Sequence, residues 1–126
     1  MEIHESAENY LEAILALSEK GSVRSIDVAQ HLGFSKPSVS RAMSLLRDNG
    51  YVVMDENSFL VLTPAGREIA ETIYERHRLL TQWLTWLGVP PDIAAEDACK
   101  IEHDLSAQTF QALKDHIAKY PQLNQD

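Results

Sequence analysis

Gly33-Phe34-Ser35 constrains the fold more than any other stretch, because it joins two short amphipathic segments by a turn too tight for a general loop. The first segment, about Ser25 to His31, turns Ile26, Val28, Ala29 and Leu32 inward. The second opens with Ser35 as N-cap and Pro37 in the first turn, and Val39, Ala42, Met43, Leu45 and Leu46 line it up to Asn49-Gly50. Ala29 allows a close helix crossing, Gly33 permits positive φ, and Val39 plugs the angle between the helices. That is the spacing of a helix-turn-helix. A preceding helix from about Ser6 to Lys20 carries Ala7, Tyr10, Leu11, Ile14, Leu15 and Leu17 on one stripe, with Ser6 as N-cap and Gly21 as terminator.

Two strand-like runs follow, Tyr51 to Met54 and Phe59 to Leu62, split by the polar turn Asp55-Glu56-Asn57-Ser58. A hairpin in that place is the wing of a winged helix. Thr63-Pro64-Ala65-Gly66 then starts a helix that runs to Gly88, about 36 Å for about 24 residues. So long a helix outgrows a small winged domain, and Trp83 and Trp86 are expected to pack on later helices and a second subunit. Helices from about Asp92 to Leu105 and Ala107 to Tyr120 complete the chain, and Pro121 to Asp126 reads as a frayed end. The expected fold is mainly α, with a winged helix-turn-helix DNA-binding domain at residues 1–63 and an all-helical metal-binding and dimerisation domain at 64–126.

Formal net charge is -8, which argues against a nucleic-acid partner until its distribution is read. Residues 20–50 carry Lys20, Arg24, Lys36, Arg41 and Arg47 against Asp27 and Asp48, a local charge of +3. With its third helix in the major groove, Ser35, Lys36, Pro37, Ser38 and Arg41 stand nearest bases and backbone. No apolar run is long enough for a membrane span, and the N-terminus lacks the pattern of a signal peptide. The single cysteine, Cys99, agrees with a reducing cytoplasm and is left for metal or redox chemistry.

Cys99 sits in Asp97-Ala98-Cys99-Lys100-Ile101-Glu102-His103. On a helix, Cys99, Glu102 and His103 stand at i, i+3 and i+4, so thiolate, carboxylate and imidazole leave one face within a turn. An ordinary reading of the same stretch is a buried Cys, an exposed Glu and a His at a helix end. Spacing alone leaves both open. His4, His31 and His116 read as surface or interfacial residues, and Glu96 and Asp97 as a solvated helix face.

The pieces AENYLEAI, VAQHLGFSKPSVSRAMSLLRDNGYV, FLVLTPAGREIA, ERHRLL and DACKIEHDLS, in this order, resemble the diphtheria toxin repressor and manganese transport regulator family of metal-dependent transcriptional repressors. The resemblance covers nearly the whole chain, in the short form without an SH3-like domain. It implies a homodimer on palindromic operator DNA, with Fe(II) or Mn(II) as co-repressor between the two domains and Zn(II) or Co(II) as substitutes in vitro. It implies Asn9, Glu12, His77, Cys99, Glu102 and His103 as metal-site positions. The manganese branch has aspartate at the position of Asn9 and glutamate at that of Cys99, while the iron branch has methionine and cysteine. The site is therefore a hybrid. Arg41 stands where the family often has glutamine. Two other functions stay open: a winged-helix regulator sensing oxidants through Cys99, and a small metal-dependent hydrolase.

Overall fold

A computed structural model describes residues 5–119; His4, Tyr120 and the Pro121–Asp126 tail lie outside the described residues. The order is α1 (Glu5–Ser18), α2 (Ser25–Leu32), α3 (Lys36–Asp48), β1 (Val52–Met54), β2 (Leu60–Leu62), α4 (Pro64–Trp86), α5 (Pro91–Ile101) and α6 (Ala107–Ala118). Two compact units, Met1–Thr72 and Ile73–Asp126, meet in sequence within α4.

In the first unit, α1 buries Ala7, Tyr10, Leu11, Ile14 and Leu15 along its inner stripe. Ser6 is not its N-cap, because Glu5 before it is already helical. The α2 helix opens at Arg24, whose backbone N–H donates to Asp27 Oδ2 at 2.9 Å, and closes at Gly33 with φ 73°. Phe34 meets the ring of Tyr10 edge-on, with centroids 5.9 Å apart, which ties the turn to α1. The buried side of α3 is Val39, Met43 and Leu46, spaced i, i+4, i+7. Leu45 falls on the other side and is 55% exposed, and Ile26 on α2 is 40% exposed; both were expected inward. The apolar stripes of these short helices are narrower than their sequences suggest.

The strands pair antiparallel, Val52 with Leu62, Val53 with Val61 and Met54 with Leu60. Val52 and Leu60 face the core while Val53 and Val61 face out, the alternation a half-buried hairpin requires. Asp55 Oδ1 closes the turn by accepting the N–H groups of Asn57 and Phe59 at 2.8 and 3.0 Å. Leu60 donates its N–H to the Val23 carbonyl at 2.7 Å, so the hairpin is anchored to the segment before α2. Thr63 links the wing to the next helix: its hydroxyl donates to the Gly50 carbonyl at 2.6 Å and accepts the Gly66 N–H at 3.1 Å. Gly66 is required there, since a Cβ would run into the Tyr51 carbonyl.

In the second unit the buried hydrophobic residues among those described are Ile73 and Leu80 of α4, Ala94 and Ala98 of α5, and Phe110 and Ile117 of α6. Lys114 Nζ of α6 pairs with Glu75 Oε2 of α4 at 3.1 Å. Ser106 caps α6 by accepting the Thr109 N–H. The α5 helix stops at Ile101, four residues before the expected Leu105, although Glu102 keeps right-handed backbone angles and donates its N–H to Ala98. Its end is taken up by Arg76 of α4, which donates to the carbonyls of Glu102 and Leu105. Tyr74, Trp86, Leu87 and Ile93 remain exposed on this unit, between 40% and 57%. Among the described residues no helix is long and apolar enough to cross a membrane.

Candidate metal centre and reading helix

The second unit gathers His77 of α4 with Cys99 and Glu102 at the end of α5, one donor atom of each lying within 4.8 Å of the others. His77 Nδ1 is 2.9 Å from Glu102 Oε2 and 3.7 Å from Cys99 Sγ. Because α5 keeps helical geometry through Glu102, Cys99 and Glu102 leave it three residues apart on one side, as their spacing requires. His103 follows in the turn, with Nε2 3.4 Å from Glu102 Oε1 and a side chain only 2% exposed. The burial pattern inverts the ordinary reading of this stretch: the cysteine is exposed and the glutamate has no exposed surface.

The donors fit a divalent cation. Glu102 Oε1 is buried and has no hydrogen-bond partner among the described residues. A buried carboxylate oxygen without a hydrogen bond costs free energy that the His103 imidazole at 3.4 Å offsets only in part, and a metal ion removes that cost. Around it stand two imidazoles and a thiol, a donor set of intermediate softness that suits first-row metals from Fe(II) to Zn(II). Asn9 and Glu12, the other expected ligands, lie a turn apart on α1 in the first unit, both half-buried. Asp97 is half-buried and Glu96 exposed; His31 and His116 are exposed residues on α2 and α6.

On α3, Lys36, Pro37 and Arg41 are exposed, as a DNA-reading face requires. Ser35 has a different task. Its hydroxyl accepts the Ser38 N–H at 3.3 Å and donates to Ser38 Oγ at 2.9 Å, so it caps the helix. Ser40 and Ser44 share the outer side with Pro37 and Arg41 at i+3 and i+4 spacing. Neither serine belongs to a motif that singles it out in the sequence, though both lie opposite Val39, Met43 and Leu46. Arg76 likewise carries no sequence signal, because its role depends on backbone carbonyls that no pattern displays.

A winged helix followed by a helical unit bearing a metal-ligand cluster defines a metal-responsive DNA-binding regulator. Residues 2–58 match the family described as iron dependent repressor, N-terminal DNA binding domain, and residues 63–124 match iron dependent repressor, metal binding and dimerisation domain. The transcriptional regulator MntR of Salmonella typhimurium (strain LT2) is 37% identical over 109 residues, which cover 86% of this chain and 69% of that protein. The HTH-type transcriptional regulator MntR of Geobacillus kaustophilus (strain HTA426) is 35% identical over 113 residues, 89% of this chain and 80% of that protein. Among solved structures, a manganese-dependent transcriptional repressor in complex with manganese superposes with a TM-score of 0.79 at 28% identity over 89% of this chain. The chain spans about half of that structure, 52%. It belongs to the iron-dependent repressor family, and is a metal-dependent transcriptional repressor similar to the MntR proteins. These relatives are regulators of transcription.

Proposed function

We propose that this chain acts in the cytoplasm as a homodimer that represses metal-uptake or metal-homeostasis genes when Fe(II) or Mn(II) is bound. The observation that carries this reading is the buried Glu102 carboxylate, one oxygen of which makes no hydrogen bond, beside two imidazoles and a thiol. His77, Cys99, Glu102 and His103 hold the cation, and Asn9 and Glu12 are further ligands on the strength of the family resemblance. When bound, the cation supplies positive charge that the cluster lacks. Glu102 and His77 orient each other, and the exposed Cys99 closes the set from the solvent side. Engaging Asn9 and Glu12 of α1 makes cation occupancy a constraint on the winged helix, a population shift set by the difference in affinity between two states.

Residues 1–63 read DNA and residues 64–126 bind metal and dimerise, with Tyr74, Trp86, Leu87 and Ile93 as the apolar surface available to a second copy. In the major groove Arg41 bonds a guanine, Pro37 touches a thymine methyl, and Lys36 and Ser38 meet phosphate. Ser35 contributes through the helix end that it caps. Two reading helices related by a two-fold axis call for a pseudo-palindrome. Selection of bound duplexes from a random pool with Mn(II) tests this. Enrichment of a two-fold site, lost on chelation, is expected; enrichment of an asymmetric site, or one indifferent to chelator, overturns it.

A further inference from the structure

Arg76 precedes His77 on α4 and reaches the other side of the cluster through the backbone. Its Nη1 donates to the Glu102 carbonyl at 3.0 Å and to the Leu105 carbonyl at 2.8 Å. The guanidinium carbon lies 5.3 Å from the centroid of the Phe110 ring, and Nε is buried with no hydrogen-bond partner among the described residues. Carbonyls at a helix C-terminus have no partner within the helix, so the turn that carries Glu102 and His103 has few constraints of its own. Arg76 supplies them from the same turn of α4 that presents His77. One rigid segment thus sets both walls of the cluster. The buried Nε adds a cost that an arginine in solvent does not carry.

We propose that Arg76 is a positioning residue of the metal centre: by clamping the Glu102 and Leu105 carbonyls it holds the Glu102 carboxylate and the His103 ring against His77. The proposal rests on the metal-site reading above. Arg76 acts on ligand geometry and not as a ligand, since a guanidinium has no lone pair to offer a cation.

The test is absorbance titration of the metal-free full chain with Co(II), following the thiolate-to-cobalt band of Cys99, beside thermal unfolding of the metal-free protein. Arg76→Met keeps the stem and removes the donors; it is expected to weaken Co(II) binding about 10- to 100-fold. Arg76→Lys, with a single ammonium, is expected to fall between Arg76→Met and wild type. Phe110→Leu removes the ring beneath the guanidinium but keeps both hydrogen bonds, and is expected to lower the unfolding midpoint without weakening Co(II) binding. Equal weakening in Phe110→Leu and Arg76→Met shows general loosening and overturns the proposal. If Arg76→Met does not fold, Arg76→Lys decides: weaker binding at an unchanged midpoint supports the role, and wild-type binding overturns it. Loss of Co(II) binding in Glu102→Gln with none in Arg76→Met removes Arg76 alone. Wild-type binding in Glu102→Gln removes the site and the role together.

Discussion

His77 Nδ1 stands 2.9 Å from Oε2 of Glu102, a carboxylate with no exposed surface whose other oxygen accepts no hydrogen bond among the described residues. One oxygen of this buried group is thus hydrogen-bonded to an imidazole from α4, while the second has the His103 imidazole only at 3.4 Å and no hydrogen bond. That asymmetry leaves one oxygen short of the hydrogen bonds that both oxygens of a structural ion pair make.

Glu102→Gln keeps the shape of the side chain and removes its charge. Mn(II) affinity should fall by at least about 100-fold, beyond what loss of an outer partner costs. The metal-free protein should unfold at a temperature equal to or above that of wild type, because a costly buried charge is gone. Calorimetric titration and thermal melts check both. A large fall in the metal-free melting temperature makes Glu102 a structural residue.

The architecture was legible because it depends on local signals. Gly33, the Ser35 cap, Pro37 and the alternation of Val52 and Val53 each fix a turn, a helix start or a strand face within a few residues. What the sequence left ambiguous is set by tertiary contact. Leu45 and Ile26 are apolar yet exposed, and no periodicity in helices of thirteen and eight residues decides which of two adjacent faces is covered. The end of α5 depends on Arg76, 26 residues away from Glu102. The i, i+3 relation of Cys99 and Glu102 was readable from spacing; the approach of His77 came only from family resemblance until the fold placed it.

Arg41→Ala should weaken binding to the selected operator by about 1 to 3 kcal/mol per half-site, with little change on random DNA, if Arg41 reads guanine. Lys36→Ala should weaken both alike. Fluorescence anisotropy at fixed salt separates the two, because phosphate contacts are strongly salt-dependent. Equal losses for Arg41→Ala on both DNAs reassign it to phosphate.

Gly66→Ala places a methyl group against the Tyr51 carbonyl where the wing meets the start of α4. Backbone cannot yield as a side-chain tip can, so a loss of about 3 kcal/mol is expected in urea unfolding. A change too small to measure shows that the strand end moves freely.

Cys99 puts a soft thiolate where the manganese branch has a carboxylate, so Fe(II) is the expected physiological co-repressor and Mn(II) the second. Cys99→Glu should move activation toward Mn(II). Anaerobic DNA-binding titrations with both metals give the ratio of activating concentrations. An unchanged ratio, with wild type already favouring Mn(II), contradicts the ligand-softness argument.

Coupling between the metal cluster and DNA binding is tested most directly by one titration: operator affinity of metal-free wild type and of His103→Ala, at fixed salt, as free Mn(II) or Fe(II) is raised. Wild-type affinity should rise by about 1 to 3 kcal/mol as the metal binds, a usual size for allosteric coupling, while His103→Ala stays at its metal-free value. Metal-free wild type that binds the operator as tightly as the loaded protein, or a full metal response in His103→Ala, contradicts it.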